Sequence, residues 1–95
     1  MQFKGDVYTD VLEAVNWYAQ AQESLADEFL DELKFTLSRV GDHPRQFQRI
    51  WKNTHHALVK RFPYVVYFQL TKSGDIIVLA VLHTSRNPRI WKSRS

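Results

Sequence analysis

Between Asp6 and about Gln22 the apolar residues Val7, Val11, Ala14, Val15, Tyr18 and Ala19 recur at steps of three and four, the spacing of one helix face. A second periodic run follows, with Leu25, Phe29, Leu30, Leu33, Leu37 and Val40 as its stripe and Glu28, Asp31 and Glu32 off it. Ser24 with Asp27 three residues on predicts a capping box at the start of this second helix, and Gly41 followed by Asp-His-Pro predicts its end. So short a connection predicts an antiparallel helical hairpin whose two stripes face one common partner. After a loop through Arg45 and Trp51, three strands are predicted: His56–Phe62, Tyr64–Thr71 beyond the interruption at Pro63, and Ile76–His83 beyond a Lys-Ser-Gly-Asp turn. The last is apolar at both parities, as a central strand covered on both faces is, or as the hidden strand of a small sheet under helices is. Met1–Lys4 could add a very short edge strand, and Thr84–Ser95 reads as loop and turn. The pattern predicts an α+β domain over residues 1–95, with a two-helix hairpin on one face of a three- to four-stranded antiparallel sheet.

Charge changes the picture more than composition does. Residues 1–48 carry four cations against nine acids, net −5, whereas residues 49–95 carry nine cations against Asp75 alone, net +8; together they give the overall +3. A basic second half attracts anionic surfaces such as nucleic acid or an acidic peptide, although a solvated charged face has the same composition. The absence of cysteine excludes disulfides, thiolate metal sites and cysteine nucleophiles. The longest apolar run, Ile76–Leu82, is far shorter than a membrane span, and Met1–Tyr8 does not read as a signal peptide, so a cytoplasmic protein without membrane contact is expected. His43, His55 and His56 have no carboxylate or thiol at ligand spacing, and the Lys72–Asp75 turn lacks the spacing of a phosphate loop, so neither metal nor cofactor is expected.

Three groups of residues resemble a known family when taken in order. They are Trp17-Tyr18 on the first helix, Phe62-Pro63-Tyr64 leading into Val65–Phe68, and Val81-Leu82-His83 followed by Arg86, Pro88, Trp91 and Arg94. In this order the chain resembles the RelE/ParE toxin superfamily, and most of all its ParE branch, from about Val7 to Arg94. The resemblance implies the toxin of a type II toxin-antitoxin, or plasmid stabilisation, pair. Such a toxin is neutralised by a cognate antitoxin protein and acts either on DNA gyrase or, in the RelE manner, on messenger RNA at the ribosome. A homodimer or a hetero-oligomer with the antitoxin would suit it. An inactive homologue or a nucleic-acid-binding module is a further reading. Members usually open with a full strand before the first helix, where this sequence offers only Met1–Lys4.

Each mechanism makes its own demand on side chains. Metal-independent RNA cleavage needs a base for the 2′-hydroxyl, cations for the phosphate and an acid for the leaving oxygen. The candidates are His83, Arg86, Arg61 and Tyr64, with Lys60 and Tyr67 nearby. Strict alternation places His83 on the face of Val81, Leu79 and Ile77, where a structural histidine is an equal reading. Lys60 and Arg61 point to opposite faces, so at most one of them serves a site; Tyr64 and Tyr67 are also ordinary packing residues, and Trp17 and Tyr18 read as core. Gyrase poisoning needs only a contact surface, for which Arg86, Arg89, Trp91, Lys92 and Arg94 form a basic tail around an aromatic anchor. The simpler alternative has Trp91 folded back onto the domain and Arg86 paired with an acid of the helices. An acidic, amphipathic antitoxin segment would suit the basic half and cover apolar surface along the helices or sheet edge.

Overall fold

The computed structural model describes residues 1–95, which run as β1 (Gln2–Phe3), α1 (Gly5–Ala21), α2 (Glu23–Asp42), a 3-10 turn (Pro44–Gln46), β2 (Arg49–Trp51), β3 (Thr54–Leu58), β4 (Tyr64–Leu70), β5 (Ile76–His83) and α3 (Arg89–Ser93). The α+β expectation holds, with a correction to the sheet. It has five strands in the order β1-β5-β4-β3-β2, antiparallel except where β1 runs parallel to β5. Periodicity over three residues cannot be read, so β2 around Trp51 was expected as loop; five residues give α3 no periodic signal either.

Gln22 alone separates the two long helices, in an extended conformation that reverses the chain. The expected capping box at Ser24 and Asp27 does not form. Helix α2 begins at Glu23, one residue before the serine, and Gln22 gives no side-chain cap. Instead the Leu25 N–H donates to the Gln22 carbonyl and the Gln22 N–H to that of Tyr18, so the backbone satisfies the junction.

The apolar stripes meet the sheet as their spacing requires. Val7 and Ala14 of α1, and Phe29, Leu33 and Val40 of α2, are buried against Ala57, Val66, Phe68, Val78 and Val81. Tyr18 lies at the centre of an aromatic cluster, stacked on Phe29 at 5.4 Å and edge-on to Phe62 and Tyr64. Trp17, read as core beside Tyr18, is instead 68% exposed, because consecutive helical residues point about 100° apart and only one can face the sheet.

β5 is covered on both faces, as its composition predicted. Helices lie on one side; on the other, Leu79, Ala80 and Leu82 form a second apolar layer with Trp91 of α3. One irregularity decides which residue faces which layer. Tyr67 pairs with Ala80 but Phe68 pairs with Val78, so Leu79 is an extra residue that bulges from the ladder. Beyond the bulge the alternation is reset, and His83 with Val81 shares the helix-facing side with Val78 and Ile76. Strict alternation had grouped it with Leu79 and Ile77.

Candidate functional site

β1 pairs with β5 only at Ile77 and Val78, its last bond running from the Lys4 N–H to the Val78 carbonyl at 2.9 Å. Past that point β5 keeps β4 on one side but has no strand on the β1 side, and the backbone polar groups facing that side need other partners. Asp10, buried on the stripe of α1, supplies one by accepting the Val81 N–H at 3.0 Å. Arg94 supplies another, donating from Nη1 to the Leu79 carbonyl at 3.2 Å. The two side chains also grip each other, Nη1 to Oδ2 at 2.6 Å and Nη2 to Oδ1 at 3.1 Å, with Nε 3.5 Å from Asp6. The hydrogen bond to Asp10, and then its charge, raise the Arg94 pKa despite burial, so the guanidinium stays charged. This pair fastens the C-terminal segment to the end of the sheet.

Beside it, between α1 and the last residues of β5, lies a cleft of about 210 Å³. Tyr64, His83 and Arg86 line it together with Glu13 and the exposed ring of Trp17. Three of the four residues considered for catalysis are therefore neighbours. The Tyr64 and His83 rings meet edge-on at 5.5 Å. Burial, and secondarily Tyr18, holds the Tyr64 pKa above that of a free phenol against the opposing pull of Arg86, so at neutral pH it is a hydrogen-bond donor. His83 Nδ1 accepts the Ser85 N–H at 3.1 Å and lies 2.8 Å from the Ser85 hydroxyl. An accepting Nδ1 places the proton of the neutral ring on Nε2.

The fourth, Arg61, is elsewhere. It sits in the β3–β4 turn at φ 71°, bonded to Glu28 of α2 at 2.8 Å and 3.8 Å from Glu32, and it does not line the cleft.

The five residues considered for target contact also divide. Trp91 is 5% exposed, stacked on Tyr67 at 4.9 Å and edge-on to Trp51 at 5.9 Å. Arg94 is taken up by Asp10. Trp91 follows the simpler alternative, folded back onto the domain, but the arginine that pairs with a helical acid is Arg94 and not Arg86; both residues shape the surface from within. Arg86, Arg89 and Lys92 are exposed, and none is in an ion pair, since all four carboxylate contacts of the molecule use Arg61 or Arg94.

Sequence reasoning overlooked Asp10, although it left a signal: a carboxylate three residues after Val7 and four before Ala14 stands on the buried face and must have a partner.

A second cleft, of about 500 Å³ and almost wholly apolar, runs along the hairpin between Val7, Tyr8 and Val11 of α1 and Leu30, Leu33 and Leu37 of α2. Phe3 closes one end, and Lys4 and Lys34 stand at its rim. Tyr8 is 75% exposed there.

A family model described as the ParE toxin of type II toxin-antitoxin system, parDE, matches residues 2–88. The chain belongs to the ParE toxin family. No individual curated protein matches it. It is therefore a type II toxin, of a family whose members work with a cognate antitoxin. The match covers the hairpin, the whole sheet and the cleft with Tyr64, His83 and Arg86; α3 follows it. No helix is long and apolar enough to cross a membrane.

Proposed function

We propose that this ParE-family toxin poisons DNA gyrase through a contact surface formed by Arg86, Arg89 and Lys92, and that an acidic amphipathic segment of its antitoxin neutralises it. The carrying observation is the exposed, unpaired state of these three cations beside an anchored C-terminal segment. A charge without an internal partner needs no ion pair broken before it meets an anionic target, so its attraction goes into association. Trp91 and Arg94 serve the same surface by fixing α3 against the sheet.

The apolar cleft of the hairpin supports the second part. The apolar groove between the two helices leaves Phe3 and Tyr8 uncovered, and Lys4 and Lys34 favour a segment with carboxylates flanking its apolar stripe. Complex formation then weakens with added salt while keeping its apolar share.

The RelE-like reading keeps one specific support, the meeting of Tyr64, His83 and Arg86 in a single cleft. Against it stand a neutral phenol, a histidine whose Nδ1 is already engaged, and an Arg61 committed to α2. One experiment separates the two: purified toxin assayed for gyrase supercoiling and for ribosome-dependent mRNA cutting, each with wild type and His83→Gln. The expected result is inhibition of gyrase by both proteins and no mRNA cutting. Cutting by wild type that disappears with His83→Gln would establish the nuclease instead.

A further inference from the structure

The side of the sheet away from the long helices carries a second concentration of charge, centred on Trp51. Lys52 Nζ stands 4.5 Å from the centroid of this ring, and Lys92 Nζ, arriving from α3, stands 5.2 Å from it and 5.6 Å from the ring of Trp91. The two ammonium groups are thus within roughly 10 Å of each other, about one Debye length at 0.1 M salt, and they repel. No carboxylate compensates them: the only acid of residues 49–95, Asp75, accepts a bond from Ser73 within its own turn, and neither lysine is in an ion pair. Lys52 also occupies a left-handed backbone conformation, φ 52°, which costs a residue with a β-carbon about 1 kcal/mol. The indole faces attract both ammonium groups and so gather two cations at one exposed point, where one anionic backbone can meet them together. Arg89, three residues before Lys92 on α3, extends the charge along the same helical face.

We propose that this face binds the phosphodiester backbone of duplex DNA directly, independently of which macromolecule the toxin poisons. Around Trp51 and Lys52, outside the Arg86 end of the gyrase-contact surface, the local shape favours a nucleic-acid backbone over an inserted protein side chain. No cavity of the molecule is lined by Trp51, Lys52, Trp91 or Lys92, so there is no socket for an anchoring side chain of the kind that dominates protein interfaces. Neither is there a slot for an unstacked base. Trp51 and Trp91 are packed edge-on against each other, and the ammonium groups occupy the approach to Trp51. Exposed cations on a shallow surface suit phosphate contacts, which position a protein on a duplex without reading its sequence.

The test is fluorescence anisotropy of the full chain with a fluorescein-labelled duplex of about 20 base pairs, over a range of salt. Micromolar binding is expected for unrelated sequences alike, about the strength of non-specific phosphate contact. Lys52→Glu/Lys92→Glu should weaken it at least about 10-fold and make the salt dependence shallower by nearly two counterions, whereas Arg45→Glu/Lys72→Glu, equal in charge, should change it far less. Lys52→Ala/Lys92→Ala gives the same direction if the reversed charges disturb folding, which thermal melting reports. Equal losses from the two glutamate pairs, no duplex binding, or stronger competition by single-stranded RNA or polyglutamate than by unlabelled duplex would each overturn the proposal. The gyrase assay does not enter this titration, so either reading can fail alone.

Discussion

Arg61 and Arg94 each reach an acid on a helix, yet the two regions they fasten differ in almost every physical respect. Arg61 lies in the β3–β4 turn with its side chain 59% exposed, and its partners Glu28 and Glu32 remain in contact with solvent. Arg94 is 16% exposed, Asp10 is 6% exposed, and the pair also completes the hydrogen bonding of β5 where β1 stops. A surface pair gains little over its solvated state, whereas breaking a buried one strands a charge out of water. Sequence proximity to a catalytic motif says nothing about which kind of pair an arginine will make. The polar groups left over by the sheet decide it.

The largest effect is expected where the buried pair is broken. Arg94→Ala should lower the unfolding free energy by about 3–5 kcal/mol, a large share of the roughly 5–14 kcal/mol typical of a chain this size, because the buried Asp10 loses its cationic partner. Urea denaturation measures this. Asp10→Leu/Arg94→Met should recover much of the loss, falling short by about 1–3 kcal/mol because the Val81 N–H and the Leu79 carbonyl lose their partners. A loss under about 1 kcal/mol for Arg94→Ala would put this arginine in the same class as Arg61 and dissolve the contrast.

The smaller effect belongs to the turn. Arg61→Ala should cost no more than about 1 kcal/mol, and Arg61→Gly should be more stable than Arg61→Ala by about 1 kcal/mol, since glycine accepts the positive φ without a β-carbon clash. Denaturant midpoints of the two variants sharpen the comparison. If alanine and glycine were indistinguishable, the left-handed turn would not be a constraint at this position.

The long helices and β4 and β5 were legible because each repeats a pattern often enough to be counted: the Val7-to-Ala19 stripe, the Leu25-to-Val40 stripe, the apolar run from Ile76. What stayed hidden has local causes. β2 is three residues long, α3 is five, and the Ser24 box lost to a backbone turn at Gln22. His83 changed face because a single extra residue, Leu79, shifts every position after it, and a period-two count has no way to register a bulge. Three of the four catalytic candidates could be brought together from sequence order alone. Arg61 could not, because its partners Glu28 and Glu32 come from α2, the nearer of them in space, Glu28, lying 33 positions away in the chain.

The contact surface differs from the interior of the C-terminal segment in one testable way: its cations have no carboxylate partner to lose. The direct measurement is gyrase supercoiling in the presence of toxin carrying Arg86→Ala, Arg89→Ala and Lys92→Ala together, with thermal melting recorded on the same preparation. Melting close to wild type with inhibition reduced at least about 100-fold is expected, as three charged contacts worth at least about 1 kcal/mol each would give. Wild-type inhibition by this well-folded triple variant would contradict the account.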